Sequence, residues 1–278
     1  MVLSLIIRGV KRLIFILTIL VTLFAFFFLF FSSQKESTKP FEEKQEVKKE
    51  NQNKDQNKEI NSEMKSLIFG EENFFFLVEK IAQPEKLILI PNFENKLSST
   101  ALFKNNQCQF LTNGGFYSED NQPLAWFFTQ DKLFKKETKS AFSNGFLSKD
   151  KNGNISLNNF VPTIQLEWGL QTGPLLIQNN QPFNLSLVHD ELDRRVVAAL
   201  NEKNELFFLI VTKTDSLAFG PLLKDLPLIV KEIGSQINES FQSAVNLDGG
   251  TASAFITLAK SIKEYTWIGS AFCLQSIK

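Results

Sequence analysis

The stretch 206-LFFLIV-211 carries apolar side chains on both faces of an extended chain, the pattern of a strand buried on two sides. Outward from it, short apolar runs bounded by turn residues continue in both directions. They predict strands at 74–81, 87–90, 108–112, 164–168, 175–177, 196–200, 243–247 and 267–274, with a hairpin made by 124–128 and 130–134. Only two segments read as helix. One is short, 98–104, capped by Ser98 or Ser99; the other, 221–233, has Pro221 in its first turn and Gly234 at its C-cap. Many strands with few helices predict an α+β fold built on mixed, mostly antiparallel sheets, with no internal repeat.

The 278 residues are 43% hydrophobic, enough for a real core, and 30 Lys+Arg balance 30 Asp+Glu. That neutrality argues against a nucleic-acid partner, whose footprint is a basic excess. The single histidine, His189, excludes a multi-histidine zinc centre. Cys108 and Cys273 stand alone without a CxxC, which excludes a thiolate zinc site. Two buried free thiols are the expected state of these cysteines; pairing in an oxidising compartment is the alternative. No loop has EF-hand spacing, so the expectation is no cofactor, with Ca²⁺ or Mg²⁺ held by Asn, Asp and Gln oxygens as the open alternative.

Residues 13–31 (LIFILTILVTLFAFFFLFF) contain no charge, and only Thr18 and Thr22 are polar. At about 1.5 Å per residue this nearly spans a hydrocarbon core of about 30 Å, so one transmembrane anchor is expected. Arg8, Lys11 and Arg12 precede it within the basic segment 1–12, predicting a cytoplasmic N-terminus and an extracytoplasmic domain, periplasmic or at the cell surface. A cleaved signal peptide is the rival reading, but no A-x-A-like site follows in FFSSQKES. Residues 32–66 mix eight Lys with eight acidic residues among Asn, Gln and Ser, which predicts a disordered tether rather than a charged helix. The folded domain is expected over 67–278.

Four glycine-bearing or arginine-bearing segments stand out from this apolar background. Asn113-Gly114-Gly115 closes a predicted strand, Gln171-Thr172-Gly173-Pro174 precedes one, Arg194-Arg195 opens another, and Asn246-Leu247-Asp248-Gly249-Gly250 ends one. Polar groups at strand ends beside exposed N–H groups are a common way to hold an anionic oxygen. Taken singly, Asn-Gly-Gly and Asp-Gly-Gly are ordinary turns; four such segments in one chain, with Gln, Arg and Asp beside the glycines, ask for more.

With TNGGFY at 112–117, QTGPLLI at 171–177, RVVAAL at 195–200 and NLDGGTAS at 246–253, in that order, the chain resembles the phosphodiester glycosidase domain family. The resemblance implies an α+β domain acting on a sugar joined through phosphate. Matched position by position, it implies a site lined by Asn113, Gly114, Gly115, Gln171, Gly173, Arg195, Asp248 and Gly249. Two departures are visible. Ser118 stands where many members have an acid, with Glu119 and Asp120 displaced, and Ala199 replaces a glycine in the Arg-led strand.

The residue chemistry points the same way. A phosphodiester is a permanent anion, which suits the planar fork of Arg195. Arg194 is expected to pair with Asp190, Glu191 or Asp193 at the surface, because alternation lets only one of the two arginines face a site. Breaking a glycosidic bond usually takes two carboxylates; Asp248 is the first, and Glu119, Asp120 or Glu167 the second. Asp248, Arg195 and Asn113 are thus the catalytic candidates, with Gly114, Gly115, Gln171, Thr172, Gly173, Asn246, Gly249 and Gly250 binding substrate. His189 is read as a surface residue, and Phe116, Tyr117 and Trp168 as core residues with sugar stacking as the alternative. Two functions follow: a membrane-tethered hydrolase of sugar phosphodiesters in the cell envelope, or a non-catalytic module of the same fold that binds sugar-phosphate polymer or a protein partner.

Overall fold

The structure, a computed structural model, describes residues 64–276. The run at 206–211 lies within Leu206–Lys213 (β13), the third strand of a seven-stranded sheet. From edge to edge that sheet is Lys65–Phe69 (β1), Glu72–Lys80 (β2), β13, Arg195–Asn201 (β12), Phe241–Asn246 (β14), Leu175–Gln178 (β10) and Gln181–Pro182 (β11). Both faces of β13 are apolar because both are covered. Leu206, Phe208 and Ile210 enter a central core together with Val196, Ala198 and Leu200 of β12. Phe207, Leu209 and Val211 enter a second layer with Val197 and Ala199. That layer is roofed by the helix Leu226–Gln236 (α2), whose Leu226, Ile229, Val230 and Ile233 form a buried stripe at helical spacing.

Two five-stranded sheets close the other sides of the central core. One runs Ser261–Ile262 (β16), Phe255–Thr257 (β15), Cys108–Asn113 (β4), Ser270–Gln275 (β17), Leu87–Pro91 (β3). The helix Ser99–Asn105 (α1) contacts β4, β15 and β17, and its Leu102 packs with Ile90, Leu111 and Ile256 in a small cluster of its own. The other runs Lys132–Lys135 (β6), Phe127–Thr129 (β5), Leu166–Thr172 (β9), Gly145–Asp150 (β7), Ile155–Asn158 (β8). Phe110, Phe255 and Phe272 from the first, and Phe127, Leu147 and Trp168 from the second, meet Phe208 in one core. Edge-on ring contacts run through it, such as Trp168 to Phe272 at 5.2 Å between centroids.

Several expectations are corrected. Every strand pairing in the three sheets is antiparallel, so the sheets are not mixed. Helix α2 begins five residues after Pro221, with Pro227 in its first turn, and Gly234 lies inside it rather than at its cap. A Cβ on Gly234 would sit 2.9 Å from the Glu239 carbonyl and 3.2 Å from the Phe241 ring, so this glycine serves close packing. The folded domain begins before Leu67: Met64 is buried in the central core and Lys65 pairs with Phe76, so the last residues assigned to the tether belong to the sheet. Cys108 and Cys273 form a disulfide joining neighbouring strands β4 and β17, with Cα atoms 5.5 Å apart, and are not free thiols. Strands β1, β7, β8, β11, β15 and β16 are additional to those the sequence pattern predicts. The 13–31 anchor and residues 32–63 of the tether lie outside the described residues. Among those described, no helix is long and apolar enough to cross a membrane.

Candidate functional site

The four segments singled out in the sequence come together where strand ends of all three sheets meet. Asp248 N–H donates to the Gly114 carbonyl at 3.1 Å, tying the end of β14 to the end of β4. Asn246 Nδ2 donates to the Gly173 carbonyl at 3.0 Å, and Thr172 Oγ1 donates to the Asn246 carbonyl at 2.9 Å, which bring in the end of β9. Gly250 N–H donates to the Arg194 carbonyl at 2.9 Å, adding the start of β12. Strands β4, β9, β12 and β14 thus deliver their ends to one place although they lie far apart in sequence.

Asp248 is the chemically loaded member. Its Oδ1 accepts from Gly249 N–H at 3.0 Å. Burial pushes its carboxyl up to about 7, the Gly249 hydrogen bond opposes the rise, and the charge of Asp193 adds to it. Asp193 is the residue the sequence reading missed as a carboxylate of the site. It lies just before the arginine pair and beside the Asp-Gly-Gly turn: a Cβ on Gly250 would sit 3.2 Å from its Oδ1. Gly250 itself takes φ +58, a left-handed conformation that a glycine adopts freely. Among Asp190, Glu191 and Asp193, nothing in the local pattern distinguished the third; all three read as ion-pair partners for the arginines. The two carboxylates Asp248 and Asp193 therefore bracket the glycine pair.

The arginines diverge, as alternation along β12 requires. Arg194 is 1% exposed, so its expected surface pairing is corrected. Its guanidinium donates to the carbonyls of Gly250, Ser253, Lys263 and Leu217 and to Ser253 Oγ, and stacks over the Tyr265 ring at 5.0 Å. Desolvation lowers it to about 10, still cationic at neutral pH. It is a structural cross-brace under the 250–253 turn. Arg195 points to the other side. Its Nε donates to the Pro221 carbonyl at 3.1 Å, and its Nη2 donates to the Glu191 carbonyl and lies 3.5 Å from Asp190 Oδ1. Its Nη1 comes within 3.8 Å of the position a Gly249 Cβ would occupy, so this end of the fork faces the Asp-Gly-Gly turn.

Asn113 ties the site together, and Gln171 ties the end of β9 to the segment 126–143. Asn113 Nδ2 donates to the carbonyls of Asp248 at 2.7 Å and Gly114 at 3.1 Å, while its Oδ1 accepts from Ala254 N–H. Gln171 uses both ends likewise: Nε2 donates to the Thr138 and Ser143 carbonyls, and Oε1 accepts from Thr138 and Trp126 N–H. Gly114, Gly115 and Gly173 are glycines of close approach. A Cβ would meet Ser270 Oγ at 2.3 Å, Leu170 Cδ1 at 3.3 Å and the Phe142 carbonyl at 2.0 Å, respectively. The N–H groups of Gly114, Gly249 and Gly250 all donate within the protein, which leaves Arg195 as the cationic donor beside the turn. Asn246 Oδ1 and Ser270 Oγ are buried there without a protein partner.

Of the three carboxylates expected as the second, Glu167 lies elsewhere. Glu167 is the second residue of β9, near the opposite end from Gln171, and pairs with the buried Lys149 at 2.8 Å. Glu119 and Asp120 are exposed in the 118–122 turn. His189 is exposed, as expected. Trp168 is a core residue whose Nε1 donates to the Leu87 carbonyl at 2.9 Å, and Phe116 packs against Phe142 at 5.6 Å. Tyr117 differs from both. It is half-buried, and its phenol is raised by burial and by the nearby charge of Asp248. Among the described residues no three of His, Cys, Asp and Glu converge as metal ligands.

Residues 106–271, more than half of the chain, match the model of the phosphodiester glycosidase family. The chain belongs to that family. In fold it is similar to the catalytic domain of zebrafish N-acetylglucosamine-1-phosphodiester alpha-N-acetylglucosaminidase, auto-inhibited by its pro-peptide. The TM-score is 0.60 at 12% identity, over 77% of this chain and 82% of that one. It is also similar to a hypothetical protein from Synechocystis (TM-score 0.57, 11% identity, 76% of this chain and 61% of that one). A protein from Burkholderia pseudomallei K96243 follows at TM-score 0.54 and 10% identity, over 74% and 75% of the two chains. No curated protein matches the sequence.

Proposed function

We propose that this protein is a membrane-anchored, exported hydrolase that cleaves the glycosidic C–O bond of a sugar-1-phosphodiester, such as those of envelope glycopolymers. The observation that carries the reading is the pair Asp248 and Asp193 bracketing Gly249-Gly250, with the Arg195 guanidinium beside the same turn. Arg195 holds the non-bridging phosphate oxygens. Asp248, its carboxyl at about 7, is substantially protonated near neutral pH and donates its proton to the leaving phosphate oxygen. Asp193 stabilises the positive charge that develops on the sugar and takes a proton from the entering water. The sugar leaves with a hydroxyl at C1 and the phosphate leaves as a monoester. Asn113 acts by holding the ends of β4 and β14 together, and Gln171 by anchoring the 138–143 segment to β9. This chemistry uses no metal, because a fixed guanidinium already neutralises the anion; a divalent cation remains the alternative that chelation tests.

The disulfide supports export, since such bonds persist in oxidising compartments. In this reading the 13–31 segment anchors the chain, the charged tether spaces the domain from the bilayer, and the domain is extracytoplasmic.

The test is to offer the full chain methyl phosphodiesters of α-glucose, α-mannose and N-acetyl-α-glucosamine, with and without EDTA. Release of reducing sugar and methyl phosphate that Asp248→Asn and Asp193→Asn each abolish supports the proposal. Tight binding of a diester with no turnover by the unaltered protein sinks it and leaves the non-catalytic module, a reading favoured by the internal use of the Asn113 and Gln171 amides.

A further inference from the structure

Three residues past Gly114, whose carbonyl accepts from Asp248 N–H, Tyr117 pairs with Trp267, and the proposed chemistry uses neither ring. The rings of Tyr117 and Trp267 lie 4.3 Å apart between centroids, inclined at 46°. Both are half-exposed. Tyr117 is fixed in place: its O–H donates to the Trp267 carbonyl at 2.6 Å, and it lies flat on the chain at Gly269, where a Cβ would sit 2.6 Å from its Cδ1. Residue 269 is a glycine because the ring occupies that space. The Trp267 ring also carries the ammonium of Lys96 at 5.4 Å from its centroid. Lys96 is exposed, so the part of the ring it covers looks to solvent and not into the core. Trp126 and Trp168, by contrast, are 7% and 1% exposed.

A rigid, partly solvent-facing aromatic surface beside a buried acid suits a ligand with one apolar face and a polar rim. A pyranose is such a ligand: its axial C–H groups pack on an aromatic ring while its hydroxyls stay hydrated. We propose that Tyr117 and Trp267 form a stacking subsite for the sugar ring of the substrate, with Lys96 moving aside to bond a ring hydroxyl. This rests on the reading of Asp248 as the acid at the scissile bond, because it is the nearness of Tyr117 to Asp248 that would put C1 of a stacked sugar within reach of the acid. Tyr117 and Trp267 are positioning residues; they touch the ring and not the breaking bond.

The test uses the full chain and tryptophan emission. With Trp126 and Trp168 already buried, a sugar landing on Trp267 shifts the emission to the blue, and the titration gives Kd. The probes are the three methyl phosphodiesters named above, with dimethyl phosphate as the sugar-free control. The expected result is a saturable shift with at least one sugar diester and none with dimethyl phosphate. Trp267→Ala should raise KM about tenfold with kcat within about twofold, and Trp267→Phe should restore most of the affinity. Because Trp267→Ala can disturb Tyr117, thermal unfolding is measured in parallel, and Lys96→Ala, which leaves both rings in place, provides a second probe of Kd. Equal shifts with dimethyl phosphate, or unchanged KM in Trp267→Ala while Asp248→Asn is inactive, overturns the platform and leaves the hydrolase reading standing. A sugar-dependent shift lost in Trp267→Ala, in a protein that turns over no diester, does the reverse.

Discussion

Two turns of almost the same sequence, Asn113-Gly114-Gly115 and Asp248-Gly249-Gly250, touch each other and do different work. In the first, no glycine is left-handed, and Gly114 is pressed against Ser270 while Gly115 is pressed against Leu170. The Asn113 amide is spent on three backbone groups. In the second, Gly250 is left-handed, and the Asp248 carboxylate keeps a single backbone donor and a carboxyl at about 7. The Asn turn is a joint, and in the proposed reaction the Asp turn is the reagent. One atom separates their lead residues in kind, an amide nitrogen in place of an oxygen, and the amide both donates and accepts where the carboxylate only accepts.

The contrast is most open to attack at Asp248. Asp248→Asn should lower turnover by about 10³ with little change in sugar affinity; retained turnover would erase the distinction between the turns. The same variant has a stability signature. An acid whose folded value is raised loses stability as pH climbs from the unfolded value near 4 through about 7. Asp248→Asn should therefore gain up to about 4 kcal/mol over the unaltered protein above pH 8, with the gain vanishing near pH 4, as followed by Tm across pH. A gain that grew on acidification would invert the argument.

At the joint, Asn113→Ala should cost about 2–3 kcal/mol in chemical denaturation at any pH, since it leaves the Asp248 carbonyl and the Ala254 N–H unpaired. A pH-dependent loss would mean that Asn113 acts through the carboxylate. The smallest effect is expected at the contact between strands β4 and β17. Gly114→Ala should cost about 1–2 kcal/mol and be largely rescued by Ser270→Ala, which removes the atom 2.3 Å from the new methyl.

Much of this architecture was readable in the sequence because β12 and β13 are buried on both faces, and apolar runs survive any register. Among the strands that escaped notice, Phe255–Thr257 and Ser261–Ile262 are very short, and β7 is broken by buried polar residues. In β7, Ser148 and Lys149 interrupt the apolar pattern, yet both are fully buried, Lys149 by donating to the carbonyls of Pro84, Glu85 and Leu87. Helix α2 was misplaced because Gly234 is small for the sake of Phe241, a contact that sequence spacing does not reveal. At the site, ordered motifs pointed to Asp248, Asn113, Gln171 and Arg195, which the fold brings together. Asp193 stayed hidden because its meaning comes from Gly250, far along the chain. Arg194 was misjudged because its partners are carbonyls, which every residue has and no composition displays.

The last strand, β17, lies between β3 and β4, which are among the first, and its Cys273 closes the covalent link to Cys108. The sheet that carries Asn113 and Gly114 therefore has a gap in its middle until residues 270–275 arrive. A chain emerging from a ribosome or threading a membrane in N-to-C order completes neither the joint nor the reagent beforehand, since contacts of such long range form late. Until Ser270 arrives, Gly114 N–H has no carbonyl to donate to, so closing the sheet and setting the turn that meets Asp248 are a single event.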